Sequence, residues 1–248
     1  MGKFWACRMV KKILLILILT CILGTHKARA EYIVLAYVDF PPYEYRGNDG
    51  TPQGTLVTIV ETVFERAGIE LILKFLPFQR AFLGTKRGEI DGLFNFYRTE
   101  SRLAFFDYTE PIIQNPLNLF VRTNAAIQFT TLEDLEGLTI GVMRGYTYGK
   151  AFDESPLFTR EAGDTHQSNF TKLIHKRIDA YLCDRRAGIH IATENQMMAE
   201  LKILPRPVIV MDGHIGFTKG RHRAVIRKIN VVIAQMHQNG EIDQLIAP

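Results

Sequence analysis

The pattern of apolar and polar positions predicts two kinds of element in turn over the first half of the chain. Strand-like runs rich in β-branched and aromatic residues alternate with amphipathic stretches, giving strands at residues 32–38, 69–75 and 91–96 and helices at residues 55–67 and 78–87. Pro41 and Pro42 stop the first strand, and Gly68 and Gly88 can adopt the left-handed turn that ends each helix. Strands that alternate with helices predict an α/β fold with a doubly wound parallel sheet.

A second unit of the same kind begins after Arg122. Ile90-Asp91 and Ile178-Asp179 each link a helix to a strand, so the two units echo one another and two lobes are predicted. Periodicity alone does not assign the last helix to either lobe. The elements predicted after Arg122 are helices at residues 132–135, from 146 onward, at 168–176, 186–199 and 224–237, and strands at residues 139–142, 179–183, 208–211 and 215–218.

The formal charge of +4 comes from the start of the chain. Residues 1–30 hold six Lys and Arg and no Asp or Glu, which leaves 24 basic against 26 acidic residues, a charge of −2, in the remainder. Lys11 and Lys12 precede an eleven-residue apolar run, and Ala28-Arg29-Ala30 matches a small-x-small cleavage pattern. Because ~20 apolar residues are needed to span a bilayer, we expect a cleaved secretory signal peptide at 1–30, starting at Met1 or Met9. The charge gives no support for nucleic acid or an anionic membrane as a partner.

Motifs of catalysis and metal binding are missing from the sequence. It contains no His-Glu-x-x-His, Gly-x-Ser-x-Gly or Cys-x-x-Cys, and its seven His are scattered, so no metal and no cofactor is predicted. The glycine-rich segment 141–149 has neither the spacing nor the Lys of a phosphate-binding loop. Removal of the leader would leave Cys183 as the one cysteine, which excludes an internal disulfide and suits a buried packing residue.

Three polar residues directly follow predicted strands. In a parallel α/β sheet, ligands bind at the carboxyl ends of the strands, so these residues are candidates for a site. Arg102 has the planar fork that binds a carboxylate, with a surface charge as the alternative for a single Arg. Thr147 can donate its hydroxyl to an anion beside a helix start. Asp184 follows the strand of the second unit at the equivalent place, and an N-cap of the next helix is the alternative there.

The order and spacing of several segments together resemble the bacterial extracellular solute-binding protein family 3, the periplasmic receptors that serve amino-acid ABC transporters. The similar segments are Pro41-Pro42-Tyr43, the Gly54-led helix, Gly88-Glu89-Ile90-Asp91, Thr99-Glu100-Ser101-Arg102, the run from Phe106 to Pro111, that from Leu138 to Val142, and that from Arg177 to Asp184. The resemblance implies a periplasmic binding protein type 2 fold, with two doubly wound α/β lobes on a two-strand hinge. Lobe one would be residues 31–121 plus 211–248, and lobe two residues 122–210.

The resemblance also implies a ligand site between the lobes. Arg102 would hold the ligand α-carboxylate and Asp184 would take the α-ammonium from the second lobe. Phe40 would cover the ligand, while Asn95 and Tyr97 stand where the family usually has small residues. The full set of ligand-binding residues implied in this way is Phe40, Asn95, Tyr97, Thr99, Arg102, Thr147 and Asp184.

The ligand expected from these residues is a small or acidic amino acid, or another modest carboxylate. Phe40 and Tyr97 would fill the space that a long basic side chain needs, and Arg80 and Arg98 would add positive charge if they face the cleft instead of solvent. We expect a periplasmic monomer that delivers its ligand to an inner-membrane ABC permease. Two alternatives stay open on the same scaffold: an enzyme of dehydratase or lyase type, which needs a cleft carboxylate with a raised pKa, and a sensor module that reports to a membrane receptor.

Overall fold

One mixed sheet of ten strands organises residues 32–246, the part of the chain that the computed structural model describes. The strand order is β4-β1-β5-β12-β7-β10-β8-β9, with β11 paired to β7, β6 paired to β12, and β2 and β3 forming a separate pair. The strands are β1 (Tyr32–Tyr37), β2 (Tyr45–Arg46), β3 (Pro52–Gln53), β4 (Glu70–Phe75), β5 (Gly92–Tyr97), β6 (Phe106–Tyr108), β7 (Ile113–Arg122), β8 (Thr139–Met143), β9 (Thr159–Gly163), β10 (Ala180–Asp184), β11 (Leu201–Ile203) and β12 (Ile209–Thr218). The predicted leader at 1–30, with Cys7 and Cys21, lies outside the described residues.

Parallel pairing is confined to the two ends of this sheet. At the first end β1 runs parallel to β4 and β5, with Leu35 opposite Leu73 and Gly92. At the second end β8 runs parallel to β9 and β10 in the same way. Between them, β7 and β12 are antiparallel to each other and to their outer neighbours β10 and β5. The predicted α/β fold with doubly wound parallel strands is therefore confirmed at both ends of the sheet.

The helices form where apolar positions recur at helical spacing. In the first helix Leu56, Ile59, Val60 and Val63 are all buried on one face. The helices are α1 (Thr55–Arg66), α2 (Phe78–Arg87), α3 (Glu100–Leu103), α4 (Lys150–Asp153), α5 (His166–Ile174), α6 (Arg185–Glu194), α7 (Arg223–Gln238) and α8 (Glu241–Ile246), with 3-10 turns at Leu132–Leu135 and Met198–Glu200. None of the helices within residues 32–246 is long and apolar enough to cross a membrane.

The helix expected from residue 146 onward is wrong over its first turn, because α4 begins only at Lys150. Gly145 and Gly149 adopt positive φ angles of 78° and 88°, outside the right-handed helical region. The Asp153 carboxylate accepts the Tyr148 N–H at 3.0 Å and the Thr147 hydroxyl at 2.5 Å. Residues 146–149 are therefore a loop held by one carboxylate, and the loop faces the cavities described below.

Separate hydrophobic cores lie at the two ends of the sheet. At the first end, Ile229 and Ile233 of α7 share a core with Val60 and Phe64 of α1 and with Leu35 of β1. The cores of the second end are built on β8 and β10 and on the helices α5 and α6. The last long helix therefore packs on the first end of the sheet, which periodicity could not decide. The bounds of the two lobes, at residues 121/122 and 210/211, stay a prediction.

The repeated Ile-Asp pair in the sequence makes the same hydrogen bond at both ends of the sheet: the aspartate accepts a backbone N–H of the neighbouring strand. Ahead of β5, the Asp91 Oδ2 atom accepts the backbone N–H of Val34 in β1 at 2.8 Å. Ahead of β10, the Asp179 Oδ2 atom accepts the backbone N–H of Thr139 in β8, also at 2.8 Å. Each aspartate thus fixes the start of a central parallel strand against its neighbour.

Candidate functional site

Two adjoining small cavities lie between the two ends of the sheet, beside the carboxyl ends of β1, β5 and β10. We call the one lined by Arg102 the arginine cavity, of about 40 Å³, and the one lined by Asp184 the aspartate cavity, of about 10 Å³. Phe40, Tyr97 and Tyr146 line both, so these rings are the shared wall. The arginine cavity is also lined by Val38, Glu44, Phe78, Leu93, Phe94, Asn95, Phe96, Arg102 and Thr147, and the aspartate cavity by Leu117, Tyr148, His166, Leu182, Cys183 and Asp184.

Arg102 is held rigidly on the wall of the arginine cavity by α3. Its Nη1 atom donates to the carbonyl oxygen of Tyr97 at 2.9 Å, and its guanidinium lies 4.3 Å from the ring centroid of Phe96. Burial lowers the pKa of Arg102 from its usual range, yet an Arg stays protonated in proteins. No ion pair within residues 32–246 includes Arg102. Its remaining N–H donors can therefore take a planar anion such as a carboxylate.

Asp184 presents one free carboxylate oxygen inside the molecule. Its Oδ1 atom accepts the N–H of Ala187 at 2.8 Å, as the N-cap of α6, and the hydroxyl of Tyr43 at 3.0 Å. Its Oδ2 atom is buried and has no hydrogen-bond partner among the described residues. Burial raises the pKa of Asp184 to about 6. The N-cap alternative is thus correct for one oxygen, while the other needs a donor that residues 32–246 do not supply.

Six of the seven residues expected to bind ligand line one or both cavities, and Thr99 is the exception. Thr99 caps the short helix α3, and its hydroxyl bonds to that of Ser101 at 3.1 Å. The Thr147 hydroxyl reaches the arginine cavity but already donates to Asp153. Asn95 has a positive φ of 51° and accepts a bond from Asn115 Nδ2 at 2.8 Å. Arg102 and Asp184 are therefore the charged groups of the set with free polar capacity.

The cations invoked for an acidic ligand lie away from both cavities. Arg80 is exposed on α2, whose buried face is formed by Ala81, Gly84 and Thr85. Arg98 is exposed just beyond β5, where its charge acts on Tyr108 and His214. The alternative that Arg80 faces solvent is therefore correct, and the argument for a negatively charged side chain on the ligand loses its support.

Several cavity residues were missed by sequence reasoning. Glu44 is 1 % exposed, lines the arginine cavity, and has its pKa raised well above the ordinary value by burial. Tyr43 bonds Asp184 from 141 positions away along the chain. The only sequence signal for either was their place directly after the two prolines, beside Phe40. Cys183 is buried, and burial raises the pKa of its thiol, so it is a packing residue and not a thiolate nucleophile.

A wider cavity of about 720 Å³ opens beyond the shared aromatic wall. We name it the mouth cavity; Phe78 and Gln79 line it from the first end of the sheet, and Arg144 and His190 from the second. The rings of Phe78 and Tyr146 meet across it with centroids 5.1 Å apart. The mouth cavity shares Tyr146 and His166 with the aspartate cavity, so it is the direct continuation of the inner site.

The site offers two opposite charges in adjoining enclosed spaces, which suits a zwitterion. No group of three or more His, Cys, Asp and Glu side chains within residues 32–246 is placed to hold a metal ion. Two parallel-stranded ends joined by two antiparallel strands, with small cavities between them that hold an arginine and an aspartate, define a solute-binding protein with the type 2 periplasmic binding protein fold. The chain belongs to the bacterial extracellular solute-binding proteins, family 3, whose family model matches residues 32–248.

Known proteins agree with this assignment. The chain is 22% identical over 226 residues to the L-cystine-binding protein TcyJ of Escherichia coli K12, covering 90% of this chain and 84% of that protein. A mutant of ArgBP from T. maritima superposes with a TM-score of 0.72 at 24% identity, covering 89% of this chain and 95% of that one. A histidine kinase sensor domain superposes with a TM-score of 0.76 at 20% identity, covering 88% and 96% of the two chains. The family and TcyJ are binding proteins, so this chain has a solute-binding role.

Proposed function

We propose that the chain captures an amino acid, or a closely related small carboxylate, between two lobes formed by residues 31–121 plus 211–248 and by residues 122–210. Arg102 takes the α-carboxylate and the Oδ2 atom of Asp184 takes the α-ammonium. The observation that carries the proposal is the buried Oδ2 atom, which has no partner among the described residues and lies next to a cavity that holds a guanidinium. A zwitterion satisfies both groups, whereas a simple anion leaves the carboxylate unpaired.

The shape of the site favours a ligand with a small or slender side chain. Phe40, Tyr97 and Tyr146 fill the space around the two charges, and inner cavities of about 40 and 10 Å³ hold only a few water-sized groups. A larger side chain would have to extend into the mouth cavity, past His166 from the aspartate cavity or past Phe78 from the arginine cavity. Because a relative at 22% identity is an L-cystine-binding protein, L-cystine belongs among the candidates to be tested.

Ligand stabilises the closed arrangement because its two charged ends are held from opposite sides of the cleft. Two direct contacts already join the proposed lobes. The Tyr43 hydroxyl donates to Asp184 at 3.0 Å, and the ring centroids of Phe40 and His166 lie 5.5 Å apart. The strands β7 and β12 would serve as the hinge, since they run antiparallel through the middle of the sheet.

The biological setting that we propose is the periplasm, after cleavage of a leader at residues 1–30. There the closed, liganded monomer would dock on an inner-membrane ABC permease and release its amino acid. Membership of an extracellular solute-binding family supports this proposal, as does the chemistry of residues 1–30, where Lys11 and Lys12 precede an apolar run. Uptake of the ligand should fall when the gene is deleted; a deletion that alters only gene expression would favour the sensor alternative.

We propose binding without turnover. Two observations favour an enzyme: the raised pKa of the Asp184 carboxyl, about 6, and the raised pKa of the buried Glu44 carboxyl, because acid–base catalysis requires such a shift. However, Oδ1 of Asp184 is occupied by an N-cap bond and by Tyr43, and Cys183 is held as a thiol. Recovery of the ligand unchanged after prolonged incubation with the protein would support binding; a product that accumulates with time would support the enzyme alternative.

The direct test is a thermal-shift panel of the twenty amino acids, L-cystine and small dicarboxylates on the purified protein. A ligand that binds only the native state raises the melting temperature. We expect at least one amino acid to stabilise the wild type and to lose this effect in Arg102→Ala, with the exposed Arg98→Ala as a matched control that keeps it. No stabilisation by any zwitterion, or an equal effect in Arg102→Ala, would contradict the proposal.

A further inference from the structure

His166 stands at the junction of the aspartate cavity and the mouth cavity. It is the first residue of α5 and lines both spaces. Its ring lies between two aromatic side chains, with centroids 5.5 Å from Phe40 and 6.4 Å from Tyr146. This packing fixes the ring plane, so the two ring nitrogens have defined surroundings.

One ring nitrogen, Nδ1, is engaged by groups behind the cavity. It lies 2.5 Å from the Tyr181 hydroxyl oxygen and 3.6 Å from the Cys183 sulfur. Burial raises the pKa of both the Tyr181 phenol and the Cys183 thiol, so both carry their protons. A protonated hydroxyl can still donate or accept: when Tyr181 donates, Nδ1 accepts and the ring proton resides on Nε2, and when Tyr181 accepts, the proton resides on Nδ1.

In the tautomer in which Tyr181 donates, the other ring nitrogen, Nε2, carries the ring proton. It is buried and has no hydrogen-bond partner within residues 32–246. Burial lowers the pKa of His166 to about 4, so the ring is neutral at the pH of use and presents a single N–H. A buried ring nitrogen left unpaired is unfavourable, and His166 lines two cavities in which a ligand can supply its partner.

We propose that His166 carries its ring proton on Nε2 and selects the ligand by its side chain: the Nε2–H donates to a hydrogen-bond acceptor on that side chain where it leaves the aspartate cavity for the mouth cavity. This inference rests on the proposed function, which places the α-ammonium at Asp184 and the α-carboxylate at Arg102. Both α groups are then occupied, so the part of the ligand left to contact His166 is its side chain. The ligand class is therefore an amino acid whose side chain carries a carbonyl, carboxylate or hydroxyl oxygen.

The test compares the amino acid that binds best in the thermal-shift panel with its apolar isostere. Suitable pairs are asparagine with leucine, glutamine with homoleucine, and serine with 2-aminobutyrate. In calorimetry the wild type should prefer the acceptor-bearing member, and His166→Phe should reduce that preference about tenfold, the size of one lost hydrogen bond. His166→Gln keeps an N–H donor and should retain most of the preference. Because each preference is a ratio within one protein, a loss of stability in a variant does not mimic the effect.

The outcomes separate this inference from the proposed function. If the best ligand has no side-chain acceptor, or if His166→Phe leaves the preference unchanged while Arg102→Ala still removes binding, the role of His166 is wrong and the proposed function stands. If no amino acid binds, both are wrong. Nitrogen-15 NMR of the wild-type imidazole needs no variant: we expect the proton on Nε2 and a shift of its resonance on ligand binding, and a proton on Nδ1 would overturn the inference.

Discussion

Binding of an amino acid should be coupled to the ionisation of Asp184. Burial raises the pKa of this carboxyl to about 6, and its Oδ2 atom has no donor among the described residues. An α-ammonium beside Oδ2 favours the ionised form and lowers the pKa toward or below its ordinary value. Below pH 6 most molecules hold a protonated Asp184, so the ligand must displace a proton before it binds. Affinity should therefore rise as pH rises from 5 to 7.

The magnitude follows from the fraction of ionised carboxylate. With a pKa of about 6, about a tenth of the Asp184 side chains are ionised at pH 5 and about nine-tenths at pH 7. Affinity at pH 5 should thus be about tenfold weaker, which corresponds to about 1.4 kcal/mol. Most nearby groups do not titrate in this range: the pKa of His166 is lowered to about 4, and those of Tyr43, Tyr97 and Cys183 are raised above their ordinary values. Glu44 is the exception to be controlled for, because burial raises its pKa well above the ordinary value of a carboxyl.

Calorimetry in two buffers of different ionisation enthalpy measures both the affinity and the protons released. We expect about one proton released per ligand at pH 5 and nearly none at pH 7. The control is Asp184→Asn, which keeps the N-cap oxygen but cannot ionise; it should bind weakly and show no such release. Equal affinity at pH 5 and pH 7 in the wild type would refute the reasoning. The same proton release in Asp184→Asn would assign the titration to another buried carboxyl, of which Glu44 is the candidate.

The remaining predictions concern single substitutions. Arg102→Ala should weaken binding by about 2–5 kcal/mol in calorimetry, because the ligand carboxylate loses its charged partner; Arg98→Ala, which changes an exposed residue, should not, and equal losses would contradict the assignment. Gly54→Ala should lower the free energy of unfolding in urea by about 3 kcal/mol or more, since Gly54 has a φ of 120° and an added Cβ would overlap the Tyr43 carbonyl. Gly68→Ala, at a φ of 67° with open space, should cost only about 1 kcal/mol. Asp179→Ala should cost about 1–3 kcal/mol by leaving the Thr139 N–H unpaired, while Asp179→Asn, which keeps an acceptor oxygen, should cost less; similar losses for the two would count against that bond.

Local patterns were sufficient to predict most of the helices and the parallel strands at both ends of the sheet except the edge strand β9. Gly88 shows why: a glycine after an amphipathic run was expected to end the helix, and it does so with a φ of 73°. The family assignment was also available from the sequence, because the spacing of short segments such as Thr99-Glu100-Ser101-Arg102 is set by the fold.

The central strands were harder to predict. Residues 208–211 and 215–218 were read as two short strands, whereas β12 is one strand over 209–218 with an irregularity between His214 and Gly216. Periodicity predicted no strand over β7, and only the family resemblance implied a hinge near its end, between residues 121 and 122. Its last five residues before Arg122 are buried on both faces and so lack polar alternation, and Pro116 interrupts the run. Strands buried on both faces carry no period-two signal.

The site itself depends on contacts between residues that are far apart in sequence. The Tyr43 hydroxyl meets Asp184 across 141 positions, and His166 faces Phe40 from the other end of the sheet. Periodicity reports on neighbours three or four positions away, so it cannot place such pairs together. Whether Arg80 and Arg98 face the cavity was likewise undetermined by the sequence, and the structure shows both side chains exposed to solvent.

The most direct test of the account is a crystal structure of the protein grown with the amino acid that stabilises it best. The account predicts one ligand molecule that spans both inner cavities, with its carboxylate on the guanidinium of Arg102 and its ammonium within hydrogen-bond distance of the Oδ2 atom of Asp184. A ligand bound elsewhere, or one whose ammonium turns away from Asp184, would contradict it.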